Sequence, residues 1–506
     1  MLASIPSATL HGIDGRPVSV EVHISGGLPG YTVVGLPDAA VRESRDRVRA
    51  AFSSCGLEWP KHRITINLAP SGTRKRGSGL DLPIALGILV AQGVVRPGWV
   101  ADTAGIGELG LDGSLRPVPG IVALVAAIGC RRVVVPAASA ADALLVGGHE
   151  IRSAATLAQM VAALSGRAPW TAADRRPVPR SPAAIAPDMA DIRGQPVGRR
   201  AVEVAAAGGH HLLLVGPPGS GKTMLATRLP GVLPALGRDD ALEVTRIHSA
   251  AGTTPGDGTL IDRPPLRAPH HSATGVSLIG GGSSWLRPGE ISLAHGGVLF
   301  LDELGEFPAV ALDMLRQPLE EGRVRISRAR GTVDLPARFL LVGAMNPCPC
   351  GEGSVPGACR CTDTARARYR RRLSAPLLDR FDLVLSLDRP EVDELLGGPS
   401  GETSEAVAER VQFARLQAAM RGVRCNAEIT AGDLDRDAPL TPDAAAVLER
   451  RLRTGTLSAR GLHRLRRVAR TLADLGDAGP VIGSRHVTEA LHLRDAGSAL
   501  PVGQVS

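Results

Sequence analysis

The sequence predicts a mixed α/β protein with a buried parallel sheet at its centre and a helical carboxy-terminal region. Three observations carry this. Leu212 to Val215 form an apolar run that passes directly into Gly216-Pro217-Pro218-Gly219-Ser220-Gly221-Lys222-Thr223. Val298 to Leu301 form a second apolar run, ending in Asp302-Glu303. From Asp388 onward the apolar residues recur with helical spacing, as in Val407, Val411, Ala414 and Ala418.

The first run matches the phosphate-loop pattern at every specified position. Its glycines let successive backbone N–H groups converge on one point, where the positive end of the following helix also lies. An anion fits there. Lys222 can reach terminal phosphates, and the Thr223 hydroxyl can hold Mg²⁺. The acid pair sits at the carboxy-terminal end of its strand, where open α/β sheets bind ligands. Asp302 suits the Mg²⁺ shell and Glu303 suits the base that orients an attacking water. A third apolar strand, Phe339 to Val342, leads to Asn346, a neutral group able to hold that water or touch a γ-phosphate. Arg380, in Ser374-Ala375-Pro376-Leu377-Leu378-Asp379-Arg380-Phe381-Asp382, stands on a rigid turn. Supplied to a neighbouring subunit's ATP, it would stabilise transition-state charge, which implies a ring; the plainer reading is a surface Asp379–Arg380 pair.

The amino-terminal part has its own α/β pattern. Val18, Val20, Val22 and Ile24 alternate as in a half-buried strand, and Asp38 is placed to cap a helix. A continuous apolar segment, Leu80 to Gln92, reads as a helix, and GIGELGLDGSLRPVPG reads as a hairpin turning at Asp112-Gly113. A Pro, Ala and Arg-rich stretch, 166–187, reads as a linker. The expected organisation is 1–165, then the linker, then a nucleotide-binding core over 188–388 and helices over 389–506.

The net charge of +8 permits a polyanionic partner without demanding one, and the positive residues are almost all arginine. No apolar run approaches the ~20 residues that span a bilayer. The first residues lack the pattern of a signal peptide, and seven unevenly spaced cysteines do not form a secreted disulfide framework. A cytoplasmic protein without a membrane partner is expected. Cys348, Cys350, Cys359 and Cys361 form two CxC pairs: a four-thiolate Zn²⁺ site, or reduced or redox-sensitive cysteines. His270-His271 is read as a loop contact rather than a metal site.

Several blocks together resemble the magnesium-chelatase-like AAA+ ATPases of the YifB/ComM type. They are RAPHHS, GEISLAHGGVLFLDEL, LRQPLEEGRVRISRA, AMNPCPCG, PLLDRFDL and, near the amino terminus, GLPDAAVRESRDRVRAAF. Leu266 stands where the pattern places an aromatic residue. The resemblance implies a Lon-protease-like, ribosomal S5 domain 2-like first domain, an AAA+ three-layer αβα core and a helical lid. It implies ATP and Mg²⁺ as cofactors and a homo-oligomer, a hexamer, acting on DNA in branch migration or recombination. By the same resemblance Ile192 and Gln195 pack on adenine, and Arg460 contacts the γ-phosphate of its own chain. The hairpin GRVRISRARGTVDLPARF would point into a central pore with Arg323, Arg325, Arg328 and Arg330. Lon-type peptidases carry a serine where this chain has Gly77 and a lysine near Val122, so no amine is placed to activate a hydroxyl. The rival readings are a motor subunit for metal insertion into a tetrapyrrole and a protein-remodelling ATPase.

Overall fold

The computed structural model describes residues 2–72, 74–171, 187–282, 286–328, 331–353, 358–397 and 401–494. Most of the expected linker, 172–186, lies outside the described residues, as does Arg330.

The chain opens with a four-stranded sheet. Strands Leu2–His11 and Asp14–Ser25 form an antiparallel hairpin; Arg63–Ala69 pairs antiparallel with the second and parallel with Gly30–Val34. Alternating burial of Val18, Val20 and Val22 matches the period of two in the sequence. Helix Asp81–Ala91 is buried at every residue, which explains why its sequence is apolar all round rather than amphipathic. A parallel three-stranded sheet (Thr103–Gly105, Arg132–Pro136, Glu150–Ala154) and the short hairpin at Asp112-Gly113 complete this part. Asp38 caps the expected helix, accepting from the Val41 N–H at 2.9 Å. Val122 lies in the core, Lys75 donates to the Pro70 carbonyl, and Ser78 donates to Glu108.

The central sheet is parallel and five-stranded. In spatial order it runs Leu266–Arg267, Val298–Leu301, Leu340–Met345, Leu212–Val215, Leu383–Ser386. Its strands are short and, where they carry the site, buried on both faces, as parallel sheets covered by helices are. The carboxy-terminal helices do not stand apart. Val407, Val411 and Ala414 of helix Ser404–Met420, and Leu465, Val468 and Leu472 of helix Ala459–Leu475, share one core with Leu212, Leu214 and Val342 of the sheet. No helix among the described residues is long and apolar enough to cross a membrane.

The antiparallel hairpin Arg323–Arg328/Gly331–Pro336 buries Val324, Ile326, Val333 and Leu335 and exposes Arg323 and Arg325 on its other face. Arg325 pairs across the strands with Asp334 at 2.8 Å. Ile13, in the turn between the first two strands, joins the hairpin's apolar cluster.

Because sheet and helices share a core, Leu472→Ala should cost about 2–5 kcal/mol. It should also lower protection of the Leu212–Val215 amides in hydrogen exchange, where an independently folded helical unit would leave them unchanged.

Candidate functional site

Parallel pairing aligns Val215 with Met345 and Leu301 with Gly343. The segments that leave these strands therefore emerge at one edge: the phosphate loop, Asp302-Glu303 and Asn346. Gly219 and Gly221 take positive φ (82° and 84°), the conformation that lets the loop curl before helix Lys222–Val232 begins. The Lys222 ammonium is drawn into the loop, donating to the carbonyls of Gly216 (2.8 Å) and Pro217 (2.9 Å), with Asn346 Oδ1 at 3.4 Å. Burial lowers its pKa, and the Asp302 charge works against that. The Thr223 hydroxyl donates to Asp302 at 2.8 Å. These two oxygens are hard donors side by side, the set Mg²⁺ takes. The donor set and the glycine-built cradle fit a magnesium nucleotide.

Glu303 occupies the left-handed region, φ 51°, unusual for a residue with a side chain. Its carboxylate is held by His271 Nδ1 at 2.7 Å. The sequence predicts a loop contact for His271, and the structure makes Glu303 its partner. The signal was faint, because only the adjacency of strands Leu266–Arg267 and Val298–Leu301 brings the two loops together. Gln195 also takes positive φ and lies beside Gly221, and its amide donates to the Asp388 carbonyl at 2.5 Å. Ile192 is buried in the core nearby.

Arg380 lies elsewhere. Leu212 is level with Leu383, so the residues preceding Leu383 sit at the end of the sheet opposite the phosphate loop. Arg380 pairs there with Glu320, while Asp379 turns to Arg464 at 3.4 Å, so the plain Asp379–Arg380 pair does not form. Desolvation lowers the Arg380 pKa first, and the charges of Arg464, Arg460 and Arg316 lower it further; its Nε is buried with no hydrogen-bond partner among the described residues. Arg460 therefore stands with Arg380. Ser458 caps the helix as expected, and Arg464, one turn on, docks this face beneath Asp379 and Asp382.

Asp382 anchors this end. Burial alone would raise its pKa, but His210, His211 and Arg464 overcome that and hold it down at about 2. His210 Nδ1 lies 3.6 Å away, farther than a hydrogen bond reaches.

The four cysteines converge. Their sulfurs all lie within 4.8 Å of one another, with Cys348–Cys350 at 3.3 Å, Cys348–Cys359 at 3.6 Å and Cys350–Cys359 at 3.7 Å. The cluster could hold a metal. Backbone N–H groups of Glu352 and Arg360 bring the Cys350 thiol down to about 6, while burial pushes Cys348 up to about 12.

Three family models match the chain: "Magnesium chelatase, subunit ChlI" over 188–395, "Subunit ChlI of Mg-chelatase" over 20–139, and "Magnesium chelatase, subunit ChlI C-terminal" over 401–494. An uncharacterized protein of Mycobacterium tuberculosis is 46% identical, covering 97% of this chain and 98% of its own. The uncharacterized protein YifB of Escherichia coli is 42% identical over 96% and 95% of the two chains. Competence protein ComM of Haemophilus influenzae is 41% identical over 97% of each.

Asp382 has a depressed folded pKa, so its contribution, about 2 kcal/mol, is present above the unfolded value near 4 and is lost as pH falls through about 2. Asp382→Asn should lower the unfolding free energy at pH 7, and the gap to wild type should close as urea titrations are carried from pH 4 toward pH 2.

Proposed function

Because this chain belongs to the magnesium-chelatase-like AAA+ family that includes YifB and ComM, we propose that it is an ATP-hydrolysing, ring-forming motor that acts on DNA. The observation that carries the ATPase reading is the convergence of Lys222, Thr223, Asp302 and Asn346 at one sheet edge. Lys222 exchanges its loop carbonyls for the β- and γ-phosphates. Glu303, released from His271, orients water and takes its proton, and Asn346 holds that water in line. Mg²⁺ beside Thr223 and Asp302 supplies charge neutralisation on the phosphates. Ile192 and Gln195 border the base.

In this reading residues 1–165 are a Lon-protease-like, S5 domain 2-like domain, 188–388 the three-layer AAA+ core and 389–506 its lid, in a cytoplasmic hexamer. A structural Zn²⁺ on Cys348, Cys350, Cys359 and Cys361 completes the cofactors. Arg380 and Arg460, at the end of the sheet away from their own phosphate loop, serve the neighbouring subunit's nucleotide. The DNA substrate rests on likeness to a competence protein and on exposed Arg323 and Arg325 of the hairpin, with branch migration or helicase action in recombination as the task. The chelatase descriptions of the family models favour a second reading, a motor that drives metal insertion.

ATP turnover, measured with and without forked or single-stranded DNA at two salt concentrations, separates the two. The DNA reading expects stimulation that falls steeply with salt. Turnover indifferent to DNA yet abolished by Glu303→Gln keeps the motor and removes the DNA substrate. Arg380→Ala should lower kcat by about 10³-fold or more. Mixing it with Glu303→Gln should recover part of the activity, since each intact site then meets an intact arginine; additive, unrescued rates would place Arg380 outside the neighbour's site.

A further inference from the structure

We propose that the four-cysteine loop is a zinc-closed strut that fixes Asn346 and the phosphate loop in their working positions. This rests on the reading that the phosphate loop turns over ATP. A tetrahedral site with metal–sulfur bonds of about 2.3 Å has sulfur–sulfur edges of about 3.8 Å. Three of the sulfur pairs, at 3.3–3.7 Å, already approach that edge, and all four cysteines are free thiols. Four soft sulfur ligands select Zn²⁺ over Mg²⁺, so this site does not compete with the one at Thr223 and Asp302.

The placement makes it a strut. Cys348 follows Asn346 by two residues, and Cys361 precedes helix Asp363–Arg371 by two. That helix returns the buried Tyr369 hydroxyl toward the Asn346 backbone N–H. A metal joining Cys348 to Cys361 therefore closes a ring of contacts through Asn346. The same loop bears on the phosphate loop: a Cβ at Gly351 would lie 2.6 Å from Pro218 Cδ. Glu352 pairs with Arg389 at 2.6 Å, and Arg389 donates to the Pro218 carbonyl at 3.2 Å. The position of Asn346 and the shape of the loop thus depend on whether the cysteines are drawn together.

Full-length protein purified under reducing conditions without added metal should carry one zinc per chain by elemental analysis. Releasing that zinc with a thiol-directed mercurial, or Cys359→Ser with Cys361→Ser, should lower kcat for ATP about tenfold or more. Tyr369→Phe distinguishes the strut from general unfolding. It should retain zinc and the wild-type melting temperature, and bind a non-hydrolysable ATP analogue with unchanged Kd, while kcat falls. Metal-free protein whose four loop cysteines titrate as free thiols would overturn the proposal, as would zinc release or Tyr369→Phe that leaves kcat unchanged. Wild-type protein that holds zinc but hydrolyses no ATP would overturn the strut and the motor reading together, leaving only the metal site.

Discussion

The register of three short parallel strands governs this molecule. Leu212–Val215 lies between Leu340–Met345 and Leu383–Ser386, and Val298–Leu301 flanks the former. Each of the three strands that carry the candidate nucleotide site is only four to six residues long and buried along its length. A slip of one residue would turn apolar side chains to the opposite face and move the strand's end by about 3.3 Å. Lys222, Asp302 and Asn346 meet because that slip is forbidden by burial on both faces, not because they attract one another. Lys222 and Asp302 do interact, but the loop carbonyls satisfy the lysine more closely than any acid does.

The amino-terminal sheet is tied to this arrangement through one turn. Gly12 at φ 66° lies against Val333, and a side chain there would collide with the valine; Ile13 enters the hairpin's apolar cluster, and Asp14 pairs with Arg246 at 2.5 Å. Farther along, the Gly120 N–H donates to the Ser249 carbonyl, and Asp142 accepts from Thr254 and Gly258. Arg246, Ser249 and Thr254 belong to helix Arg238–Ala251 and the turn after it. The first sheet therefore grips both that helix and the base of the arginine-bearing hairpin. Displacing the hairpin requires either breaking apolar contacts with Ile13 or carrying the amino-terminal sheet along.

What could be read from the sequence follows from how local each signal is. The phosphate loop, the Asp302-Glu303 pair and Asn346 each lie just past an apolar run, so strand, loop and chemistry sit within a few residues of one another. The buried stripe Val407, Val411, Ala414, Ala418 was legible for the same reason. His271 was not, because its partner Glu303 is reached only through strand adjacency. The cysteine spacing offered two pairs but could not say that they meet, since what joins them is the fold of the intervening loop. The neighbourhood of Arg460 was not legible either, because its expected role came from a helix's position in the chain. Which end of the sheet that helix caps is decided by Arg464 docking on Asp379 and Asp382.

That docking leaves an electrostatic imbalance. Arg316, Arg380, Arg460 and Arg464 crowd one another closely enough to lower the Arg380 pKa, and the nearby acids are already engaged: Glu320 by Arg380, Asp379 by Arg464, Asp382 by His210, His211 and Arg464. Like charges held together cost free energy unless an anion joins them. At the opposite end, the chain's own phosphate loop folds its lysine inward onto carbonyls. The two ends thus have complementary needs, an incomplete anion site at one edge and surplus guanidinium charge at the other. Within one chain the sheet's length holds them apart, which is the separation that the proposed head-to-tail ring requires.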